Sequence, residues 1–288
     1  MASLREIKSK IHSVKSTQQI TSAMRMVSTV KLQKAQRIIG RFFPYQQQIS
    51  ELLNNFLSRE ENSTSIYEEN REAKKVAVVA FSSNMGLCGS FNANIAKELK
   101  ETVRKYKHLG KENLLIYPIG KKITQVTKKL GYTPAGMYDE LANNPNYEDA
   151  IKIVDKLMKL FRNGDVDKVI VIYHHFKSKG SQLVAQKEML PISLEKVKEK
   201  KDDTYIKYII EPDKESILEE LIPKVIRIQF YTYLLESHTS EHAARTIAMQ
   251  AATDNADDLL EDLSLVYNKS RQQSITNELL DIIGATFK

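Results

Sequence analysis

Apolar residues near the amino terminus recur at helical intervals. They form two groups with steps of three or four residues: Leu4, Ile7, Ile11 and Val14, then Ile20, Met24 and Val27. This near-heptad spacing predicts a helix that packs along a partner helix. Ser3, with Glu6 three residues later, fits a capping box at its start. Gly40 and Pro44 predict a kink or weak turn, and residues 58–65 read as a loop. We assign residues 1–60 to an N-terminal coiled-coil helix.

The hydrophobic period changes between residues 74 and 210. Short β-rich runs alternate there with amphipathic segments, which predict three helices. The predicted strands are VAVVAF, NLLIYPIG, DKVIVIYHHF, SQLVAQKEMLPI and TYIKYII. The tetrapeptide KSKG between the third and fourth runs predicts a hairpin turn, and Gly110 is expected to cap the first helix. Strands that alternate with helices predict an α/β domain with a partly parallel sheet over residues 74–210.

The carboxyl-terminal part, residues 213–288, predicts an unusually long helix. A short helix is expected to stop at Pro223, and no Gly or Pro interrupts the sequence from Lys224 to Ile283. An unbroken helix over that stretch would be ~90 Å long. Such a helix needs a partner along its length, and the N-terminal segment is the candidate within this chain. We therefore expect an antiparallel coiled coil on an α/β foot domain, with close approach at Ala243, Ala244, Ala248, Ala251 and Ala252. The alternative is a helix that breaks up into a bundle.

Composition limits the protein class further. The 288 residues allow one or two domains, and 42% of them are hydrophobic. No window holds 18 uninterrupted apolar residues, so we expect no membrane span. The start, MASLREIKSK, reads as a capped helix rather than a targeting peptide. Cys88 is the one cysteine, which excludes an internal disulfide and favours a reducing compartment.

Charge is distributed unevenly along the chain. The net charge is +7, but residues 1–50 hold nine Lys or Arg and one acidic residue, whereas residues 213–288 hold thirteen acidic and seven basic residues. A basic and an acidic arm indicate segments that pair with each other, or a basic segment that faces an acidic partner. A nucleic-acid-binding coiled coil is an alternative, but no recognition motif beyond charge supports it.

A glycine-containing turn, SSNMGLCGSFNANI, follows the first predicted strand, where phosphate loops lie in nucleotide-binding folds. Its glycines, Gly86 and Gly89, match neither G-x-G-x-x-G nor the P-loop spacing. A tight strand-to-helix turn is therefore the favoured interpretation, with a Rossmann-like nucleotide-binding enzyme as the alternative. Cys88 has no histidine near it in sequence, so we interpret it as a structural thiol.

The histidines offer a second candidate for chemistry. HTSEH contains His238 and His242, four residues apart, and matches the H-x-x-E-H pattern of inverted zinc proteases. The pair could clasp one metal from a helix face, but a catalytic site needs a third ligand and a cleft. His174 and His175 are adjacent in a predicted strand and should point to opposite faces. We therefore expect neither a metal, nor a cofactor, nor catalytic residues.

Three segments in order resemble the gamma-subunit family of the F-type ATP synthases. They are EIKSKIHSVKSTQQITSAMRMVSTVKLQKAQ, SSNMGLCGSFNANI and SEHAARTIAMQAATDNADDLLEDLSLVYNKSRQQSITNEL. The resemblance implies a central rotor shaft that couples ion-driven rotation to ATP synthesis or hydrolysis on the beta subunits, without being catalytic. The implied partners are three alpha and three beta subunits, an epsilon subunit and the membrane rotor ring. The implied location is peripheral, on the cytoplasmic face of a bacterial inner membrane.

The resemblance also implies particular contacts with the stator. Met24 and Arg25 lie in the Ala-Met-x-Met segment that faces an acidic lever of beta in this family. The segment YNKSRQQSITNEL matches a second contact region of the family, through Arg271, Gln272, Thr276 and Glu278. The alternative for each residue is a role in packing or solvation of the coil. Part of the basic N-terminal character would complement beta, and part the acidic run Asp254, Asp257, Asp258, Glu261 and Asp262.

Overall fold

A computed structural model describes residues 3–57, 66–69, 71–192, 211 and 213–286 of the chain. The chain divides into a helical unit, residues 1–30 with 245–288, and a sheet unit, residues 31–244. The helices are α1 (Leu4–Leu57), α2 (Phe91–Lys105), α3 (Lys121–Lys129), α4 (Asp139–Asn143), α5 (Tyr147–Arg162) and α6 (Lys214–Thr286). The strands are β1 (Val76–Phe81), β2 (Leu114–Ile119), β3 (Lys168–Ser178) and β4 (Ser181–Leu190). The predicted loop 58–65 and the predicted strand TYIKYII lie outside the described residues.

The sheet unit is built on a mixed four-stranded sheet in the order β2-β1-β3-β4. The strand β1 is parallel to β2 and to β3, and β3 pairs antiparallel with β4 through the predicted hairpin. Every residue of β1 is buried, because apolar clusters cover both faces of the sheet. One cluster joins the sheet to α2 and α3, and the other joins it to α5 and to the first part of α6. The prediction of a partly parallel α/β sheet is confirmed.

Aromatic contacts hold α6 against the sheet. Phe230 lies 5.5 Å from Phe81, and Tyr233 stacks on Tyr173 at 4.3 Å between ring centroids. Full burial of one such side chain stabilises the fold by ~1.5–3 kcal/mol. The Arg227–Asp155 ion pair adds a 2.7 Å contact to α5. Both of its side chains are partly exposed, so we assign it little of the stability.

Two predicted helix interruptions are wrong. Helix α1 continues through Gly40 and Pro44, and α6 continues through Pro223 rather than starting after it. An internal proline costs ~3 kcal/mol through its missing donor and its steric clash. The residues around both prolines offset that cost by burial. Phe42 packs edge-on against Tyr231 at 5.2 Å, and Ile222 and Ile226 beside Pro223 are 2% and 0% exposed.

Two predicted local signals have mixed outcomes. The capping box is confirmed, because Ser3 N–H donates to Glu6 Oε2 at 3.1 Å and Glu6 N–H donates to Ser3 Oγ at 3.3 Å. Gly110 does not cap α2, which ends five residues earlier at Lys105. A 3-10 turn follows over Lys107–Leu109, and Gly110 closes that turn at φ +85°. The prediction that Gly110 caps the first helix is therefore wrong, because Gly110 ends the 3-10 turn instead.

We predict that Gly120→Ala destabilises the sheet unit strongly. Gly120 has φ +103°, and an added Cβ would lie 2.2 Å from the Ser82 carbonyl oxygen, so strain and a backbone clash combine. The free energy of unfolding of the full-length chain, measured in urea, should fall by about 2–4 kcal/mol. Gly180→Ala is the matched control, because nothing lies within 4 Å of its added Cβ. Equal losses in the two variants would contradict the prediction.

Candidate functional site

The inward face of α1 in the helical unit follows a strict heptad. One set of positions, seven residues apart, is buried or half-buried: Ile7, Val14, Thr21 and Ser28. The second set, also half-buried, is Leu4, Ile11, Gln18 and Arg25. This is the two-position seam of a coiled coil. Its composition changes along the helix, from aliphatic in the first two heptads to polar in the next two.

Helix α6 presents a matching seam. Its least exposed residues from position 246 onward alternate steps of three and four: Thr246, Met249, Thr253, Ala256, Leu260, Leu263, Tyr267, Ser270 and Ser274. The run extends over four heptads without a stutter, so the two helices can pack continuously as a left-handed coiled coil. The seam becomes more exposed toward the carboxyl terminus, where the last members are only half-buried.

Side-chain hydrogen bonds connect the two seams where they are polar. Thr21 Oγ1 lies 2.9 Å from Thr253 Oγ1 in a buried contact. Gln18 Nε2 donates to Asp257 Oδ1 at 3.1 Å, one turn away on each helix. As residue numbers fall on α1 they rise on α6, so the pairing is antiparallel, as predicted. Each bond is satisfied at one alignment only, and these bonds therefore fix the register of the pair.

Arg25 supplies the third connection. Its guanidinium Nη1 donates to Gln250 Oε1, and Gln250 Nε2 in turn donates to Asp254 Oδ1 at 2.6 Å. The acidic Asp254 is thus linked to the cationic Arg25 through an amide. Because the three pairs 18–257, 21–253 and 25–250 form one series, we call them the polar ladder. In these described contacts the amides of Gln18 and Gln250, rather than lysines, donate to the acidic run.

The sequence pattern did not identify the polar ladder. The apolar residues Ile20 and Val27 look like continuations of the early heptad, yet they are 60% and 58% exposed. The buried residues are their polar neighbours Thr21 and Ser28. Counting on from Ile7 by sevens would have found both. Close packing at Ala251 was also not found, since this residue is exposed.

The predicted stator-contact residues fall into two groups. Met24 and Arg25 are half-buried on α1, level with Gln250 of α6. Arg271, Gln272, Thr276 and Glu278 are all exposed on α6. The structure does not bring the two groups together, because Gln250 and Arg271 are roughly 30 Å apart along the helix.

The second group shares one broad side of α6. Arg271 and Glu278 are seven residues apart, so they lie nearly above each other. Gln272 and Thr276 lie on an adjoining stripe, and Thr276 Oγ1 donates to the Gln272 carbonyl at 2.9 Å. Ile275 and Leu279, 45% and 54% exposed, lie between the two stripes. The surface that these residues share is thus mixed, with exposed apolar side chains between charged and polar ones.

Large apolar side chains are exposed along both helices of the helical unit. On α1 they are Ile20, Met26, Val27 and Val30, and on α6 they include Leu259, Leu265, Val266, Leu279 and Leu280. Exposed apolar surface on this scale marks an interaction site. The sequence signal was present, because these are the apolar residues that do not fit the heptad. This surface and the polar ladder together form the candidate functional site.

The glycine-containing turn in the sheet unit is held by its own polar side chains. Asn92 Nδ2 donates to Ser83 Oγ at 2.7 Å and lies 3.1 Å from Cys88 Sγ. The thiol is 1% exposed. Leu87 and Gly89 both take positive φ, +62° and +59°. This geometry is that of a tight strand-to-helix turn.

Many α/β folds bind ligands outside the carboxyl ends of their parallel strands, and one crevice lies at the carboxyl ends of β1 and β2. Here α6 occupies it with Leu234, Ser237 and His238, which line it together with Ser82. The space that remains is about 10 Å³, enough for roughly one water molecule. Small-molecule pockets have volumes of about 300–1,000 Å³. This crevice therefore has no room for a nucleotide.

His174 and His175 point to opposite faces, as predicted. His174 is buried, stacks on Phe91 at 4.1 Å, and has no hydrogen-bond partner at either ring nitrogen. Burial lowers its pKa from 6.5 to about 4, so it is neutral at pH 7. His175 Nδ1 lies 2.9 Å from Glu236 Oε2. Burial raises the pKa of Glu236, and His175 partly offsets this rise.

HTSEH places two histidines in direct contact. His238 Nε2 and His242 Nε2 are 3.2 Å apart, with the rings nearly perpendicular. Among the described residues, no three His, Cys, Asp or Glu side chains gather as a metal site would require. The pair thus lacks the third protein ligand of a zinc protease.

No helix in the described ranges is both long and apolar enough to cross a membrane.

Comparison with known proteins gives one consistent family. A family model described as ATP synthase matches residues 3–286. An ATP synthase gamma chain of Bacteroides fragilis is 49% identical over 288 residues, which is 99% of each chain. The gamma chain of Phocaeicola vulgatus is 48% identical over 287 residues, again 99% of each chain. That of Christiangramia forsetii is 42% identical over 99% of this chain and 98% of its own.

Solved structures share the fold. A chain of the Euglena gracilis mitochondrial ATP synthase, in a structure of OSCP, F1 and c-ring, aligns with a TM-score of 0.69 at 20% identity. The alignment covers 99% of this chain and 93% of that one. A chain from the central stalk and c-ring of the Tetrahymena thermophila enzyme aligns at 0.59 and 22% identity, over 81% and 99%.

We predict that His174 makes the sheet unit sensitive to acid. Its pKa is lower in the folded state than in the unfolded state, so its contribution to stability is complete above pH 6.5 and is lost as pH falls toward 4. Between pH 7 and pH 4 the parent chain should lose about 2 kcal/mol of unfolding free energy through His174. His174→Leu should not show this loss. The measurement is urea unfolding across that range, with the exposed His108→Gln as control. An unchanged pH slope in His174→Leu would refute the prediction.

We also predict coupling between Thr21 and Thr253. Each hydroxyl also lies within hydrogen-bond distance of a carbonyl of its own helix, at 3.0 and 2.8 Å. One hydroxyl can therefore donate across the pair while the other donates to its own helix, and neither is orphaned when its partner is removed. Thr21→Val and Thr253→Val should each lower the free energy of unfolding by about 1 kcal/mol. The double variant should cost less than their sum, by roughly 0.5 kcal/mol or more. Strict additivity in a urea-unfolding cycle would show that the contact does not set the register.

Proposed function

Because the chain belongs to the ATP synthase gamma-chain family, we propose that it is the central-stalk rotor subunit of an F-type ATP synthase. It couples ion-driven rotation to ATP synthesis, or to hydrolysis in reverse. The observation that carries this proposal is the helical unit, where a register-fixed helix pair exposes apolar side chains outward. A globular enzyme would bury such residues, whereas a shaft surrounded by a sleeve presents them to its partner.

The physics of coupling requires contacts that change with angle. A ligand shifts a conformational equilibrium only by its differential affinity for the states involved. The shaft acts as such a ligand for each catalytic subunit in turn. Its circumference combines exposed Ile20 and Val27 with the cationic Arg25 and with acidic residues such as Asp258, so different sides offer different chemistry. This asymmetry lets one rotor favour a different state in each surrounding subunit.

The proposed partners are three alpha and three beta subunits around the helical unit, with an epsilon subunit and the membrane rotor ring at the sheet unit. We propose that catalysis belongs to the beta subunits and that this chain is a non-catalytic subunit. The complex would place it peripherally on the cytoplasmic face of the bacterial inner membrane. The bacterial gamma chains named above support this location.

We propose that Met24 and Arg25 contact an acidic lever of beta, and that Arg271, Gln272, Thr276 and Glu278 form a second contact. All four residues of the second group are exposed, which supports their proposed role as a contact. For Arg25 the hydrogen bond to Gln250 adds a constraint, since it holds the guanidinium in one orientation. An Arg held in this way loses less side-chain entropy when it meets a carboxylate.

Assembly tests the proposal directly. The chain is mixed with alpha and beta subunits of one bacterial source, and the mass and ATPase rate of the product are measured. We expect one copy with three of each partner, and faster turnover than without this chain. A failure to assemble with folded alpha and beta subunits would overturn the proposed function. Stoichiometric ATP or NAD binding by the isolated chain would favour the nucleotide-binding alternative instead.

We predict that Arg271→Ala lowers ATP turnover by the assembled complex several-fold, about 1 kcal/mol of lost coupling. Lys269→Ala is the matched control, because Lys269 has the same charge, is also exposed, and lies about 200° around the helix from Arg271. Its turnover should stay within about twofold of the parent complex. Equal effects of the two variants would mean that net charge matters rather than this contact.

A further inference from the structure

The histidine pair of HTSEH has a geometry that the rotor function does not use. Two imidazole nitrogens that bind one metal ion at about 2.0–2.1 Å, with an angle near 100°, lie roughly 3.2 Å apart. The Nε2 atoms of His238 and His242 are 3.2 Å apart. A four-residue step places both rings on one side of α6. The two nitrogens thus already have the separation that a shared ion requires.

The surroundings of His238 match those of a metal ligand. The ring donates a hydrogen bond to the backbone carbonyl of Asn143 at the end of α4. Because Nε2 faces His242, we infer that Nδ1 is the donor. Metal-binding histidines characteristically donate their second ring nitrogen to a carbonyl or a carboxylate, which fixes the tautomer and directs the other lone pair at the ion.

Two lysines of α1, Lys31 and Lys34, lie near His238. A cavity of about 10 Å³ adjoins His238 and is lined also by Ser82 and Ser237. That volume holds about one water molecule, which could complete the coordination of an ion.

We propose that His238 and His242 form a binding site for a divalent transition-metal ion, such as Zn²⁺. The ligands are the two Nε2 atoms and water, so the site is a structural clamp on one turn of α6 rather than a catalytic centre. Lys31 and Lys34 repel the ion and weaken its binding. Mg²⁺ is excluded because it prefers oxygen ligands. The proposal does not depend on the rotor function.

The test is calorimetric titration of the full-length chain with Zn²⁺, repeated with Mg²⁺. We expect one Zn²⁺ per chain, no Mg²⁺ binding, and at least about a tenfold loss of Zn²⁺ affinity in His242→Gln and in His238→Gln. His108→Gln, at an exposed histidine, is the control and should bind like the parent. Circular dichroism verifies that each variant is folded.

A gain-of-affinity variant keeps the test decisive if a histidine variant unfolds. Lys31→Gln removes a nearby positive charge and should tighten Zn²⁺ binding several-fold, with a larger Zn²⁺-induced rise in Tm than in the parent. Absence of Zn²⁺ binding in the parent would show that the histidines make only a hydrogen bond. Binding that is equal in the parent, His242→Gln and Lys31→Gln would place the ion elsewhere. Either result overturns the proposal.

Discussion

The register of the polar ladder is the constraint on which the rest of the helical unit depends. Aliphatic side chains alone permit two helices to slide past each other, since one leucine packs nearly as well as the next. The pairs 18–257, 21–253 and 25–250 remove that freedom, because a slip of one heptad would leave buried Thr21 and Thr253 without each other. The ladder thus determines which apolar residues face outward, and at what height.

Helix α6 carries two environments in one continuous element. From Leu221 to Arg245 it is buried on nearly all sides, and Phe230 and Leu234 are both at most 2% exposed. From Thr246 onward only a two-position seam stays covered. A helix that is apolar all round is a core element, and one with a narrow seam is a coiled-coil strand. The same helix therefore contributes to the core of the sheet unit and exposes an interaction surface in the helical unit.

Local sequence patterns predicted the fold correctly where no tertiary contact overrode them. The runs VAVVAF and VIVIYHH became parallel neighbours, and the capping box of Ser3 and Glu6 formed as expected. Prediction failed at Pro44 and Pro223, because burial of distant partners such as Tyr231 overrides a local helix breaker. It also missed the ladder, since polar Thr21 and Ser28 occupy seam positions that hydrophobicity assigns to Ile20 and Val27. Which surface meets the stator depends on partners, so the contacts of Arg271 and Glu278 stay predictions.

The central claim is that the two helices of the helical unit turn together as one shaft. The most direct measurement is ATP turnover by the assembled complex carrying Thr21→Cys and Thr253→Cys, before and after oxidation, with each single variant as control. The hydroxyls of these residues are 2.9 Å apart, so a disulfide should form. If the helices move as one body, cross-linking should leave turnover within about twofold of the reduced complex. If oxidation of the double variant stops turnover while the single variants stay active, the helices must move against each other and the account is wrong.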